Sequence, residues 1–308
     1  MKLPVFKAFG ATYSLVLGNL FTCIQIVWLP LAILYAGFYF IADKLFPIIV
    51  ALVRTMPEKG ADAAEVMPVA ILHLLAPLLQ WQGVIFLAGL VLTAMMAAGL
   101  LKFAVRGEKP SLPFYLGFGG AELGLILTWI LVFIILMAVY IGFAIGVGTL
   151  ALTIASLSKE LVPLVLAVAV VFCLVIFVWL LLRLSLAGAG SIAVRGIGIG
   201  PAWFASRGNA LNLLGFWILV FLPIIGIGMI ESAVMKVFLL PDFLDMFFSE
   251  GGHMTHEEGA DLIEKVFASI HEKLPILLAI AYVARLITIP ILNCAAGIAY
   301  RMTTEGDG

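Results

Sequence analysis

Ala193 to Pro223 reads AVRGIGIGPAWFASRGNALNLLGFWILVFLP, and this stretch decides the architecture. A basic, glycine-rich segment without one acidic residue runs straight into an apolar run of membrane length. Its parts recur. AVRG stands at Ala104–Gly107 and again at Ala193–Gly196, and WILVF at Trp129–Phe133 and Trp217–Phe221, so the copies lie 89 and 88 residues apart. Two motifs repeating at one offset argue for internal duplication.

Outward from that stretch, composition points to lipid as the solvent. Hydrophobic residues make up 64% of the 308 and charged residues 11%, against roughly 45–50% and about 25% in soluble domains. Several apolar runs exceed the ~20 residues that a helix needs to cross a hydrocarbon core of about 30 Å. The fold class expected is all-α: a polytopic membrane protein of six transmembrane helices, arranged as three tandem hairpins plus interfacial amphipathic helices. A net charge of −1 exerts no global pull on polyanions, and nucleic acid is not an expected partner. Cys23, Cys173 and Cys294 lie inside apolar runs and read as small packing residues rather than a disulfide framework.

Taken in order, Val5, Phe9, Tyr13 and Val16 form an apolar stripe of helical period beside Lys2 and Lys7, an amphipathic segment suited to the headgroup plane. The N-terminus has no cleavable leader pattern and reads as retained. The spans expected are 19–42 with Pro30 inside, 83–103, 123–151, 161–186, 211–234 and 275–300. Residues 43–80 and 241–273 read as polar excursions, and 66–79, interrupted by Pro68 and Pro77, as interfacial. The second excursion carries eight acidic residues from Asp242 to Glu272 against Lys265 and Lys273. Gly142 and Gly146 form a GxxxG pair suited to close helix contact.

Lys and Arg near the span ends set the orientation. With the N-terminus inside, that side holds Lys2, Lys7, Lys102, Arg106, Lys109, Arg183, Arg195, Arg207 and Arg301. The other side holds Lys44, Arg54, Lys59, Lys159, Lys236, Lys265 and Lys273, mostly in long excursions, which count less than short loops do. Both termini are therefore expected in the cytoplasm.

The duplication extends further. NLFTCIQIVWLP (Asn19–Pro30) parallels NLLGFWILVFLP (Asn212–Pro223), GADAAE (Gly60–Glu65) parallels GADLIE (Gly259–Glu264), and AAG occurs at Ala97–Gly99 and Ala295–Gly297, at offsets of 193, 199 and 198. One membrane domain, 1–308, results, with hairpin repeats at 1–107, 108–196 and 197–308 related without inversion.

Four groups of residues invite a chemical reading. Arg285 sits near the middle of the last span, where an arginine costs at least ~2.5 kcal/mol on insertion scales. Its candidate partner is Glu231, as a structural ion pair or as part of a solute pathway. Arg106, Arg183, Arg195 and Arg207 form a basic inner face with Lys102 and Lys109. They read either as topology signals or as lipid-headgroup ligands, since guanidinium groups bind phosphate bidentately. His253 and His256 have metal-sharing spacing, but Thr255 and Glu258 explain the same residues as a capping box, and no metal is expected. Trp28, Trp81, Trp129, Trp203 and Trp217 read mainly as interfacial anchors and packing. No GxSxG, HExxH, P-loop or GxGxxG motif is present, and GIGIG (Gly196–Gly200) lacks the Walker lysine, so neither an enzyme nor a cofactor is expected.

RLSLA at Arg183–Ala187, PAWFASRGN at Pro201–Asn209 and the amphipathic N-terminal segment before a Pro-containing span carry a resemblance. On these motifs the chain resembles a broad group of uncharacterised bacterial six-helix inner-membrane proteins, similar to the membrane domain that accompanies some glycerophosphodiester phosphodiesterases. GAGS stands at Gly188–Ser191 where the group tends to carry proline, and these 308 residues hold no phosphodiesterase barrel, so that activity does not carry over. The resemblance implies a multi-pass protein of the bacterial inner membrane, without a substrate. Three hairpins are also the plan of mitochondrial carriers, but their P-x-[DE]-x-x-[KR] signature is absent after Pro30 and Pro223.

The function expected is that of a non-enzymatic membrane protein engaging anionic lipid or a protein subunit through its basic inner face. The alternative is a small-solute transporter or channel using Arg285.

Overall fold

The structure, a computed structural model, describes residues 2–55, 63–110, 115–157, 159–248 and 256–304. Among them the chain forms nine α-helices and one 3-10 turn, with no strand. In order these are α1 (Val5–Gly18), α2 (Leu20–Thr55), α3 (Ala63–Arg106), α4 (Gly120–Leu157), the turn Lys159–Leu161, α5 (Val162–Leu184), α6 (Ala187–Val194), α7 (Ile199–Ala205), α8 (Ala210–Phe248) and α9 (His256–Thr304). Six helical segments are long and apolar enough to cross a membrane: α2, α3, α4, α5 with α6, α8 and α9. The chain is an all-α, multi-pass membrane protein.

The helices overrun the spans read from hydropathy. α2 continues past Asp43 to Thr55, and the stretch 66–79, expected at the interface, lies within α3. The acidic stretch 241–273 is taken up largely by the end of α8 and the start of α9. Where the extensions of α2 and α9 are described, they pair with each other. Asp43 on α2 meets His271 on α9 at 3.2 Å, and Phe46 meets Phe267 with ring centroids 5.5 Å apart. Helix therefore costs less here than loop, because polar groups on one extension find partners on another. His253 and Thr255, with residues 60–62 of the first GAD motif, lie outside the described residues.

Two compact units result. The first comprises Met1–Ile26, Ala94–Leu222 and Ile289–Gly308, the second Val27–Thr93 and Pro223–Thr288. In the first, small residues let helices approach closely. A methyl group on Gly99 would sit 2.6 Å from Cγ2 of Ile26, and one on Gly297 would sit 2.6 Å from Cβ of Ala104. These glycines close the two AAG copies, so both copies place a contact that tolerates no side chain. Cys23 and Cys294 are fully buried in the same unit.

α1 also packs into the first unit, on a face rotated from the expected stripe. Ala8, Thr12 and Val16 are buried, while Val5, Phe9 and Tyr13 flank them half-buried. The smaller residues occupy the contact because α1 lies close against the start of α8, where Cβ of a residue at Gly215 would approach Val5. The Tyr13 hydroxyl donates to the Val220 carbonyl at 3.2 Å. Burial raises the pKa of that hydroxyl, which stays a donor at neutral pH. At the chain start, the Leu3 N–H donates to Asn209 Oδ1 at 2.8 Å.

α4 and α5 bury almost nothing along their apolar windows, 0% and 6%. They face what would be lipid. Nothing lies within 4 Å of a methyl group built on Gly142 or Gly146, so the GxxxG pair makes no close helix contact in this chain.

Candidate functional site

The stretch from α5 to α8 is folded by its small residues. α6 carries AGAGS, and the following GIGIG loop lies directly against it: a methyl group on Gly190 would be 2.8 Å from the Gly198 carbonyl oxygen, and one on Gly198 would overlap the Ala187 carbonyl and the Ser191 nitrogen. Ser191 Oγ donates to the Gly196 carbonyl at 2.6 Å, and Thr128 Oγ1 on α4 accepts the Gly198 N–H at 3.0 Å. The two glycine-rich motifs are thus the two sides of one contact.

The two AVRG copies end their helices differently. α3 runs to Arg106 and leaves Gly107 in the left-handed region with φ 69°. α6 stops at Val194, which puts Arg195 itself there, with φ 56° and ψ 38°. A left-handed residue other than glycine costs about 1 kcal/mol. Its N–H caps the Ser191 carbonyl, and its side chain is exposed.

The predicted basic face is divided among different tasks. Arg106 turns inward: its Nη2 donates to the carbonyls of Ile192 and Ala193, against the negative end of the α6 dipole, and its Nη1 lies 3.5 Å from Glu108. Lys102 turns inward as well, its Nζ 2.6 Å from Oε1 of Glu122. Arg207 and Lys109 are exposed.

Arg183, in the last turn of α5, lies against two indoles that are set edge to face. Its guanidinium lies 4.7 Å from the Trp179 ring, one turn earlier on α5, and 4.3 Å from Trp203 on α7. The rings meet edge to face with centroids 5.6 Å apart. Cation–π contacts of this kind are worth ~0.5–1 kcal/mol when exposed and about 2 when desolvated. Arg183 Nε is buried with no hydrogen-bond partner among the described residues. On α7, Ala202 and Ala205 are buried and Phe204 is 73% exposed, so the short helix has one face on protein and the other outward.

Glu122, in the first turn of α4, had no signal in the sequence. It is 2% exposed and fully satisfied: Oε1 accepts from Lys102 Nζ and, at 2.7 Å, from the Tyr115 hydroxyl, and Oε2 accepts the Gly119 N–H at 2.9 Å. Lys102 Nζ also donates to the Tyr115 oxygen at 2.9 Å. Burial, supported by the neighbouring Glu122 carboxylate and opposed by Lys102, raises the Tyr115 hydroxyl above its ordinary value.

In the second unit, Arg285 Nη2 lies 3.5 Å from Glu231 Oε1; the arginine side chain is 44% exposed and the glutamate 11%. Tyr35 stands beside both. A shallow, mainly apolar groove of about 500 Å³ lies between Asp43, Phe46 and Pro47 of α2 and Glu264, Phe267 and His271 of α9. Among the described residues no cluster of side chains suited to a metal ion occurs. Sequence reasoning missed Trp179, although its i, i+4 spacing to Arg183 was readable. Tyr115 and the Asp43–His271 pair left no such trace.

No protein-family model matches the chain, and no curated protein or solved structure shows significant similarity to it.

Proposed function

We propose that this is a non-enzymatic protein of the bacterial inner membrane, with both termini cytoplasmic, that binds anionic lipid through its basic cytoplasmic face. One observation carries the reading. Residues 161–230 contain no Asp or Glu, and the connection they build exposes Arg195 and Arg207 beside large apolar side chains, Val194, Ile197, Phe204 and Leu211. Cations flanked by exposed apolar groups suit the boundary between headgroups and acyl chains, where each basic residue gains ~1 kcal/mol from an anionic leaflet.

The distribution of charge supports the orientation. All nine basic residues assigned to the cytoplasmic side belong to the first unit, and of the seven assigned outside only Lys159 does. The hydrogen bond from Leu3 to Asn209 keeps the N-terminal segment with the arginine-bearing connection. Glu231 beside Arg285 supports a structural role for that arginine over transport.

Native mass spectrometry of the purified protein tests the reading. Anionic lipid is expected to remain bound, and Arg195→Gln with Arg207→Gln to weaken it about 30-fold at low salt, two charges at ~1 kcal/mol each. Unchanged retention would defeat the proposal. Loss of a co-purifying protein in its place would transfer the basic face to a protein subunit.

A further inference from the structure

We infer that the Trp179–Arg183–Trp203 clamp is a phosphate seat that takes the phosphodiester of a net-anionic glycerophospholipid in preference to a zwitterionic one. The inference rests on the lipid-binding reading above and adds to it a defined subsite and a headgroup class.

Two features of the clamp favour phosphate. Contact with both rings, at 4.7 and 4.3 Å, holds the guanidinium in place before any ligand arrives, so much of the rotamer entropy of a long side chain is already spent. The buried Nε–H has no acceptor among the described residues, and an unsatisfied buried donor is costly. A phosphodiester oxygen supplies that acceptor, paired with a second oxygen on an Nη group, where the edge of one half-exposed indole yields and the other keeps its contact.

The surroundings select the rest of the molecule. Val168, Phe172 and Val175 are exposed on the side of α5 that leads to Arg183, a surface for acyl chains that a free phosphate would not use. An ammonium headgroup, by contrast, would find no carboxylate anywhere in residues 161–230 and would meet the charges of Arg195 and Arg207. A headgroup without a cation avoids that repulsion.

The test is lipid binding to the full chain in detergent, read by native mass spectrometry and by tryptophan fluorescence. The probes are phosphatidylglycerol, phosphatidylethanolamine and inorganic phosphate. The wild type is expected to prefer phosphatidylglycerol at least about tenfold, with a change in indole emission on binding, and millimolar inorganic phosphate should not displace it. Arg183→Lys keeps the charge but loses the planar edge. It should lose about tenfold in affinity for phosphatidylglycerol at high as well as low salt, whereas the effect of the Arg195→Gln and Arg207→Gln pair should fade with salt. Trp203→Leu should behave as Arg183→Lys does, and unchanged melting of each variant excludes misfolding as the cause.

Wild-type affinity for phosphatidylglycerol in Arg183→Lys, with loss only in the Arg195/Arg207 pair, would overturn the seat and leave the lipid-binding reading intact. Retention in every variant would overturn both. Equal binding of the two lipids would remove the headgroup preference, and displacement by inorganic phosphate would make free phosphate the ligand.

Discussion

Glu122 and Glu231 are both carboxylates on apolar helices facing a cation on another helix, yet one is enclosed by donors and the other depends on a single arginine. Glu122 stands in the first turn of α4, where backbone N–H groups are not used by the helix. It gathers the Gly119 N–H, Tyr115 and Lys102, and the helix dipole favours its charge. Glu231 lies in the interior of α8, where the N–H groups are committed to i−4 carbonyls, and its ion pair with Arg285 is longer, 3.5 Å against 2.6 Å. The position of a carboxylate along its helix thus decides how many partners it can recruit. Proximity to a cation does not.

The largest effect that this contrast implies is at Glu122. Glu122→Ala leaves the Lys102 ammonium, whose side chain is 19% exposed, without its counter-charge and is expected to cost about 3 kcal/mol in reversible unfolding from detergent. A loss below about 1 kcal/mol would mean that water solvates the cluster and that the contrast is unfounded.

Tyr115→Phe removes two hydrogen bonds to charged groups, one donated to Glu122 and one accepted from Lys102, and is expected to cost about 1.5–3 kcal/mol at neutral pH. It should also change the alkaline limb of stability. Because burial raises the Tyr115 hydroxyl in the folded chain, its contribution is intact below the usual tyrosine value of about 10 and is lost as pH rises through the higher folded value. Unfolding measured from pH 8 to 12 should show this limb in the wild type and less of it in the variant. An unchanged limb would assign it to other groups.

The smallest effect belongs to the second unit. A double-mutant cycle with Glu231→Gln and Arg285→Leu should give a coupling of only ~0.6 kcal/mol, the average for polar contacts between membrane helices. A coupling as large as the Glu122 effect would erase the difference. Arg285→Leu alone should leave folding close to wild type.

Much of this was legible in one dimension, and the failures have a common cause. The number of membrane-length helices could be read from apolar run lengths, because the hydrocarbon core imposes a minimum length on each. Helix ends could not: α2 runs through Asp43, since hydropathy registers a charge but not the partner, His271, that meets it. In the candidate site, Arg183, Arg195 and Arg207 stood out as the cations of an acid-free segment. That Arg106 would cap α6, and Lys102 turn to Glu122, depended on chain segments 86 and 20 residues away.

The amino-acid order by itself determined that this protein is helical and multi-pass, and where its positive charge collects, because burial in lipid is decided by the length and charge of each local run. Only the tertiary structure decided which cations remain exposed, which are consumed by carbonyls and carboxylates, and which one lies against two indoles. Those outcomes turn on a few ångströms between residues distant in the chain, set by glycines that permit α6 and its following loop to touch.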